Sequence, residues 1–465
     1  MSEISIVKLS GLEYYERLNA EFYSPSFAEI YKVINRLKEK YNVEKLIDLI
    51  ITPVRTGATP NEKDREPLND GTDVLFIKTD SVRKGFINYD VADWLPLTAH
   101  KKRKLTALKY GDVIVTVVGA TNDIVARAGL YLKKEQANIN QSDVLIRVDT
   151  DKIESGYLST FINCKYGRMQ LWRYSGQTGQ VTMNGREVEE LLVPLLPKSF
   201  REKIHNIVIE SETLRENAKR TYQEAEKLLL DEFGAKNIKL DLRERFIIPL
   251  SMVKLNKRLD ADYFLPKYDS IQEYIETYSE GHSTVRNEFK PIKTKLKRKD
   301  GKQFDYIEIG DISVSTGSYD YTEMLSEELP DNAKIKVDGG ELLISKVRPT
   351  RGAITIINDD IKDNFVCSGA FTVLQENGKV GKWVLMVFLR SDLGKELLGR
   401  SVSGTEYPTI DDDTVLDIKI PILKKAQQEK ITQLAKESQQ SYKKSRELLN
   451  EAKAAMEKEI EGVTN

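Results

Sequence analysis

Apolar positions recur along this chain with two different periods. Between Lys198 and Phe233 there is no Gly and no Pro, and Ile204, Ile207, Leu214, Ala218, Ala225 and Leu228 return close to a heptad spacing. That pattern predicts one long, mostly polar helix with a narrow apolar stripe, stopped by Gly234. From Lys424 to about Ile460 the pattern returns, with Ile431, Leu434, Leu448, Ala452 and Ala455 on the stripe. Ser438, Ser441 and Ser445 sit on its seam and are small enough for close helix approach. A helix of about 36 residues is ~54 Å long. So narrow a stripe does not hold an isolated helix in water, and the two are expected to pair with each other as an antiparallel coiled coil.

The remaining apolar runs are short, alternate with polar residues and end at turn residues, as β-strands do. They come in two matching sets. RLNAEFYSPSFAEIYKVI (Arg17 to Ile34) is matched without a gap by RLDADYFLPKYDSIQEYI (Arg258 to Ile275). In the same order, Asp73 to Asp90 resembles Phe304 to Tyr321, and Tyr110 to Tyr131 resembles Gly339 to Ile357. Ser175 to Pro197 resembles Ser403 to Leu423, and REKI at Arg201 and QEKI at Gln428 then open the long helices.

The expected fold class is therefore α+β: two tandem, pseudo-symmetric β-rich domains separated and followed by long helices. The expected boundaries are an N-terminal segment with a short helix (1–43), a first β-rich domain (44–197), and a long helix with linker (198–241). A segment repeating the N-terminus (242–282), a second β-rich domain (283–423) and a second long helix (424–465) follow. Two equivalent domains on one chain suit a two-part ligand.

Charge changes this picture little. With 71 Lys+Arg against 72 Asp+Glu the net charge is −1, so a broad electrostatic affinity for nucleic acid is not expected and any basic surface must be local. Two cysteines, Cys164 and Cys367, make neither a disulfide framework nor a zinc site; both fall in apolar stretches and are expected in the core of a cytoplasmic protein. The first residues are charged too early for a signal peptide, and no apolar run is long enough to cross a bilayer.

Catalytic patterns are missing. The Gly-Lys pairs at Gly301, Gly378, Gly381 and Gly394 lack the spacing of a phosphate-binding loop. There is no Asn/Asp-Pro-Pro-aromatic sequence of an amino-methyltransferase pocket. His100, His205 and His282 form no metal-ligand pair, and His205 is expected on a solvated face of its helix. The run Asp411–Asp413 reads as a helix entry rather than a metal site. Polar loops remain. Thr121, Asn122 and Arg127 follow one apolar strand; Lys346, Arg348, Thr350 and Arg351 follow its counterpart. A second pair of loops offers Gln177, Thr178 and Gln180 in the first half and Thr405, Glu406 and Tyr407 in the second. Arg55 sits in a third. Asn and Gln suit adenine and Arg and Lys suit guanine, while Glu406 can accept from cytosine or simply cap the next segment. Basic runs at Lys101–Lys104 and Lys293–Lys299 suit phosphates, which fix register rather than sequence.

Taken together, the RLNAEFYSPSF and RLDADYFLPKY openings, RTGATPNEKD with VLFIKTDSV, GDVIVTVVGAT, SGQTGQ, and the PLLPKSFREKI and PILKKAQQEKI helix entries resemble the specificity subunit of type I restriction–modification systems. The resemblance covers nearly the whole chain. It implies two target-recognition domains, each reading half of a bipartite, interrupted site in double-stranded DNA. It also implies helices that set the gap and bind methyltransferase subunits, two in number, with restriction/translocase subunits joining the complex. It implies no catalytic site, cofactor, metal or membrane contact on this chain; S-adenosylmethionine and ATP belong to the partners. Two other readings stay open: the recognition module of a different DNA-modifying phage-defence system, and a coiled-coil adaptor with no role on DNA.

Overall fold

The computed structural model describes residues 20–64, 66–68, 71–121, 123–175, 181–361, 364–404 and 407–464. Helices and sheets are mixed throughout, and the chain divides into two compact units: Met1–Leu214 with Lys444–Asn465, and Arg215–Lys443.

In the first unit the helix Pro25–Leu37 opens with Pro at its start, where the missing N–H costs nothing. Its Ile30, Ile34 and Leu37 fall on one face and are buried. Asn42–Lys45 then pairs antiparallel with Leu192–Leu195, joining the two ends of the β-rich part. Between them lie two sheets. One has the order Arg55–Thr56, Asp143–Ile146, Val113–Thr116, Ala128–Leu130; the other has Asp93–Leu95, Val74–Ile77, Ala137–Ile139. Val74–Ile77 runs parallel to Ala137–Ile139, and its VLFI is buried on both faces, which explains a continuous apolar run where alternation would mark a half-exposed strand. Helices Ser155–Asn163 and Lys165–Trp172 cover the four-stranded sheet.

The second unit repeats this plan, with one strand more in its second sheet. Pro266–Glu276 again starts with Pro and buries Tyr268, Ile271 and Ile275. His282–Thr284 pairs with Lys419–Pro421. One sheet has the order Phe289–Ile292, Phe371–Glu376, Leu342–Ser345, Ile354–Ile356; the other has Thr322–Leu325, Gln303–Ile307, Phe365–Ser368, Ala333–Lys336. Gln303–Ile307 runs parallel to Phe365–Ser368, so even the parallel pairing recurs. Helices Lys382–Arg390 and Asp392–Arg400 take the places of Ser155–Asn163 and Lys165–Trp172.

The first long helix spans Lys198–Phe233 and stops at Gly234 in a left-handed conformation (φ 71°). The second spans Lys425–Thr464, a few residues beyond the expected end. Their buried stripes differ from the sequence reading. On the first helix Ile204, Val208, Ser211, Ala218, Tyr222, Ala225 and Leu229 are buried, whereas Ile207, Leu214 and Leu228 are only partly covered. On the second, Ile431, Ala435, Ser438, Ser445, Ala452 and Met456 are buried, while Leu434, Ser441 and Ala455 flank the seam. Small residues alternate with large ones along the seam, and Ile207, Leu228, Leu434 and Ala455 each lie one position before a buried residue, whereas Ile204, Ala218, Ala225, Ile431, Leu448 and Ala452 are buried as expected. Within the second unit Ser438 Oγ donates to the Ala218 carbonyl (2.7 Å), and Lys424 Nζ lies 3.7 Å from Glu232, which makes this helix pair antiparallel. Within the first unit the hydroxyls of Ser211 and Ser445 meet at 3.3 Å.

Two further expectations change or hold. His205 is not on a solvated face: its Nδ1 accepts from Gly156 N–H (3.1 Å), and burial lowers its pKa. Cys164 and Cys367 are buried, and burial pushes the Cys164 thiol up to about 12. Among the described residues no helix is long and apolar enough to cross a membrane.

Candidate nucleic-acid interface

In the second unit, strand Leu342–Ser345 runs into a tight loop. Val347 bridges Thr409, Arg348 N–H donates to the Pro408 carbonyl (2.7 Å), and Ile410 N–H donates to that of Lys346 (3.0 Å). This short ladder clamps two loops that the sequence lists separately. It lays the Arg348 guanidinium 4.7 Å from the centre of the Tyr407 ring, whose side chain is 65% exposed. Arg348 itself is left-handed (φ 47°), a strained conformation for a residue with a Cβ, followed by the turn Pro349–Arg351 and a left-handed Gly352. Thr350 and Arg351 are exposed beside it. Lys346 is 3.2 Å from Asp412, which Lys293 (3.1 Å) and Thr372 Oγ1 (2.8 Å) also hold. Burial opposes the Asp412 charge, but these partners outweigh it and keep the carboxyl below its ordinary range. Asp411 caps the next helix by accepting from Thr414 N–H (2.7 Å), as its helix-entry reading required.

Beneath the loop lies Arg390, 3% exposed, which sequence reasoning missed. Its guanidinium donates to the carbonyls of Gly352, Ile354 (3.2 Å) and Val314 (2.9 Å), and to Tyr222 OH (2.7 Å). Its signal was a charged residue ending the apolar helix WVLMVFLR.

The first unit holds an analogous arrangement. Val118–Gly119 pairs with Val181–Thr182, at the place where Val347 bridges Thr409. This sets the loop carrying Thr121 beside the chain leaving residue 180. Asn122, Gln177, Thr178 and Gln180, like Thr405 and Glu406 in the second unit, lie outside the described residues. Thr121 is exposed, and its carbonyl accepts from Ile124 N–H (3.1 Å). Arg127 is committed to Asp123, with Nη2 at 2.7 Å from the carboxylate and Nε at 2.9 Å from the carbonyl. Lys84 (2.7 Å) and Arg168 (3.8 Å) close on the same carboxylate. Burial works against the Asp123 charge, but hydrogen bonds from Lys84 and Arg127 hold its carboxyl far below the ordinary range. Three cations around one anion leave a local excess of positive charge, suited to a phosphate more than to a base edge. Arg55 is two strands away from Val113–Thr116 in its sheet and donates to the Leu105 carbonyl (3.1 Å). Among the described residues no group of three or more His, Cys, Asp or Glu is arranged to hold a metal.

No family model matches the chain. The type I restriction enzyme HindI specificity subunit of Haemophilus influenzae is 28% identical over 109 residues. The chain resembles type I restriction–modification specificity subunits. That aligned stretch takes in 23% of this chain and 23% of the relative. The solved type I S subunit of M. genitalium aligns over 91% of this chain and 96% of its own, with 14% identity and a TM-score of 0.39. The HsdS subunit of Thermoanaerobacter tengcongensis aligns over 91% and 97%, with 14% identity and a TM-score of 0.30.

Proposed function

We propose that this protein is the DNA-sequence-recognition subunit of a type I restriction–modification complex, reading a bipartite, interrupted site and docking methyltransferase subunits. The observation that carries the reading is the repeated two-loop surface. In each unit the stretch leaving one sheet strand pairs at the same topological position with a second segment, Val347 with Thr409 in one and Val118–Gly119 with Val181–Thr182 in the other, beside Arg348 and Tyr407 in the former and Thr121 and the Lys84–Arg127 cluster in the latter. Two equivalent surfaces on one chain suit two half-sites. In this reading the two units are target-recognition domains and the long helices pair as an antiparallel coiled coil that spaces them. The small seam residues Ser211, Ala218, Ser438 and Ser445 support that pairing. The subunit contributes specificity and no active site. S-adenosylmethionine and ATP act on the methyltransferase and restriction/translocase partners.

Long-read methylation sequencing of the host genome, with and without this gene, tests the proposal. Loss of methylation at one bipartite, interrupted motif on deletion is the expected result and gives both half-sites at once. An unchanged methylome, with the methyltransferase gene expressed, overturns it.

A further inference from the structure

The net charge of −1 hides one strongly basic stretch. Between the strands Phe289–Ile292 and Gln303–Ile307 stand six cations, Lys293, Lys295, Lys297, Arg298, Lys299 and Lys302, against one anion, Asp300. The equivalent connection in the first unit, residues 57–73 between Arg55–Thr56 and Val74–Ile77, carries two cations and five anions. The first unit's own basic run meets that acidic connection, with Lys102 3.3 Å from Asp64. In the second unit Lys295, Lys297 and Lys299 are exposed and make no ion pair among the described residues.

The basic stretch is held in place. Leu296 N–H donates to the Lys334 carbonyl (2.9 Å) and Lys336 N–H to that of Thr294 (2.9 Å), which adds it to the edge of the sheet that ends in Ala333–Lys336. Along an extended chain alternate side chains point to opposite sides. Ile292 and Leu296 pack on the core, so Lys293, Lys295 and Lys297 line the outer side. Arg298 fastens the far end by donating to the carbonyls of Leu329 (3.0 Å) and Pro330 (2.7 Å). At the near end Lys293 shares the Asp412 carboxylate with Lys346, where the loop carrying Arg348 begins. A fixed row of lysines leads away from the candidate reading loop.

Such a row suits a polyanion, and a duplex presents its phosphates at regular intervals. Lysine is a point charge on a flexible stem and holds a phosphate without selecting a base. We propose that Lys295, Lys297 and Lys299 form a phosphate rail for the DNA backbone, and that the chain's sequence-independent hold on DNA is lopsided, carried mainly by the second unit. The proposal rests on the DNA-reading function above and adds which unit grips DNA irrespective of sequence. DNA is favoured over an acidic protein because the row starts at the loop proposed to read bases.

The test is binding of the full chain, co-purified with its methyltransferase subunits, to a motif-bearing and a motif-free duplex of equal length across a salt series. Each phosphate contact adds about 0.9 to the slope of log affinity against log salt. Lys295→Gln/Lys297→Gln/Lys299→Gln is expected to lower that slope by about 2.7 on both duplexes, with the methylated motif unchanged. Lys101→Gln/Lys104→Gln in the first unit is expected to lower it by less than about 1. Equal melting temperatures of parent and variants show that the exposed substitutions leave the fold intact. An unchanged slope for the triple variant, where the parent binds its motif, overturns the rail and leaves the proposed function standing. Equal loss per lysine in the two units overturns the lopsided hold. Loss confined to the motif-bearing duplex makes the three lysines readers of sequence and also overturns the rail. A parent that binds neither duplex overturns the proposed function and the rail with it.

Discussion

Arg348 lays its guanidinium over the ring of Tyr407, 4.7 Å from the centroid, from a left-handed backbone with φ 47°. Stacking fixes the plane of the fork, and a fixed fork suits bidentate donation to guanine. Arg348→Ala is expected to relax one half-site of the recognised sequence by about 1–3 kcal/mol per base pair contacted and to leave the other half-site intact. Tyr407→Ala, which frees the fork, is expected to act on the same half-site more weakly. Binding measured on duplexes altered in one half-site at a time checks both. Equal loss at both half-sites makes the pair structural. Arg348→Gly serves as a control, because it relieves the backbone strain and still loses the fork.

Arg390 supports that loop from below and is a positioning residue. Its removal takes the guanidinium donor from the carbonyls of Ile354 and Val314 and the partner from the Tyr222 hydroxyl, while the Gly352 carbonyl keeps Ile354 N–H (2.9 Å). Arg390→Met is expected to cost roughly 3 kcal/mol or more, since each unsatisfied buried polar group costs about 1–3 kcal/mol. Arg390→Lys keeps the charge but reaches fewer acceptors, and is expected to fall between the two. Urea denaturation of the three proteins gives the order. Within the folded population, if Arg348 contacts one half-site as proposed, that half-site is expected to blur before the other one does.

Much of this architecture is legible in the sequence because local chemistry dictates it. Pro25 and Pro266 start matching helices, and Gly234 stops a helix by turning left-handed. The helix seam is less legible. Ser211, Tyr222, Ser438 and Ser445 are buried for their size and fit, so a hydrophobic count shifts the stripe towards Ile207 and Leu214. The Arg348–Tyr407 pairing is not legible at all, because it depends on the bridge between Val347 and Thr409 in distant loops. The commitment of Arg127 to Asp123 was within reach, since the two are four residues apart in one tight turn. It places Arg127, a candidate contact to base edges or phosphates, within a charge cluster.

Asp143 marks a stability defect in the first unit. Its side chain is fully buried, its carboxylate oxygens complete no hydrogen bond among the described residues, and it faces Thr116 across the sheet. Burial pushes its pKa well above the ordinary carboxylate range, Thr116 opposes this in part, and Asp80 adds to it. The folded chain therefore keeps a proton that the unfolded chain releases near pH 4. Stability is complete below that pH and declines as pH rises towards the raised folded pKa. At the equivalent sheet position, opposite Ser345, the second unit has Phe371. Asp143→Leu is expected to stabilise the protein by about 1–3 kcal/mol at neutral pH. The gain is expected to shrink towards pH 4. Urea melts of parent and variant at pH 4.5 and pH 8 decide the matter, and a gain that does not depend on pH shows that the carboxyl is not what titrates.

The long helices carry the last prediction. If they space two recognition domains, their length sets the gap between half-sites and nothing else. One heptad inserted into each helix, after Leu214 and after Lys443, keeps the seam in phase, because every seam residue advances by a full repeat. Seven residues lengthen a helix by about 10.5 Å, or about three base pairs at 3.4 Å each. The methylated motif is then expected to keep both half-sites and gain about three unspecified base pairs between them. A four-residue insertion rotates the seam out of phase, buries polar side chains and is expected to lower stability or abolish methylation. An unchanged gap after the heptad insertion rules out the helices as the spacer. Altered half-sites show instead that they shape the recognition surfaces directly.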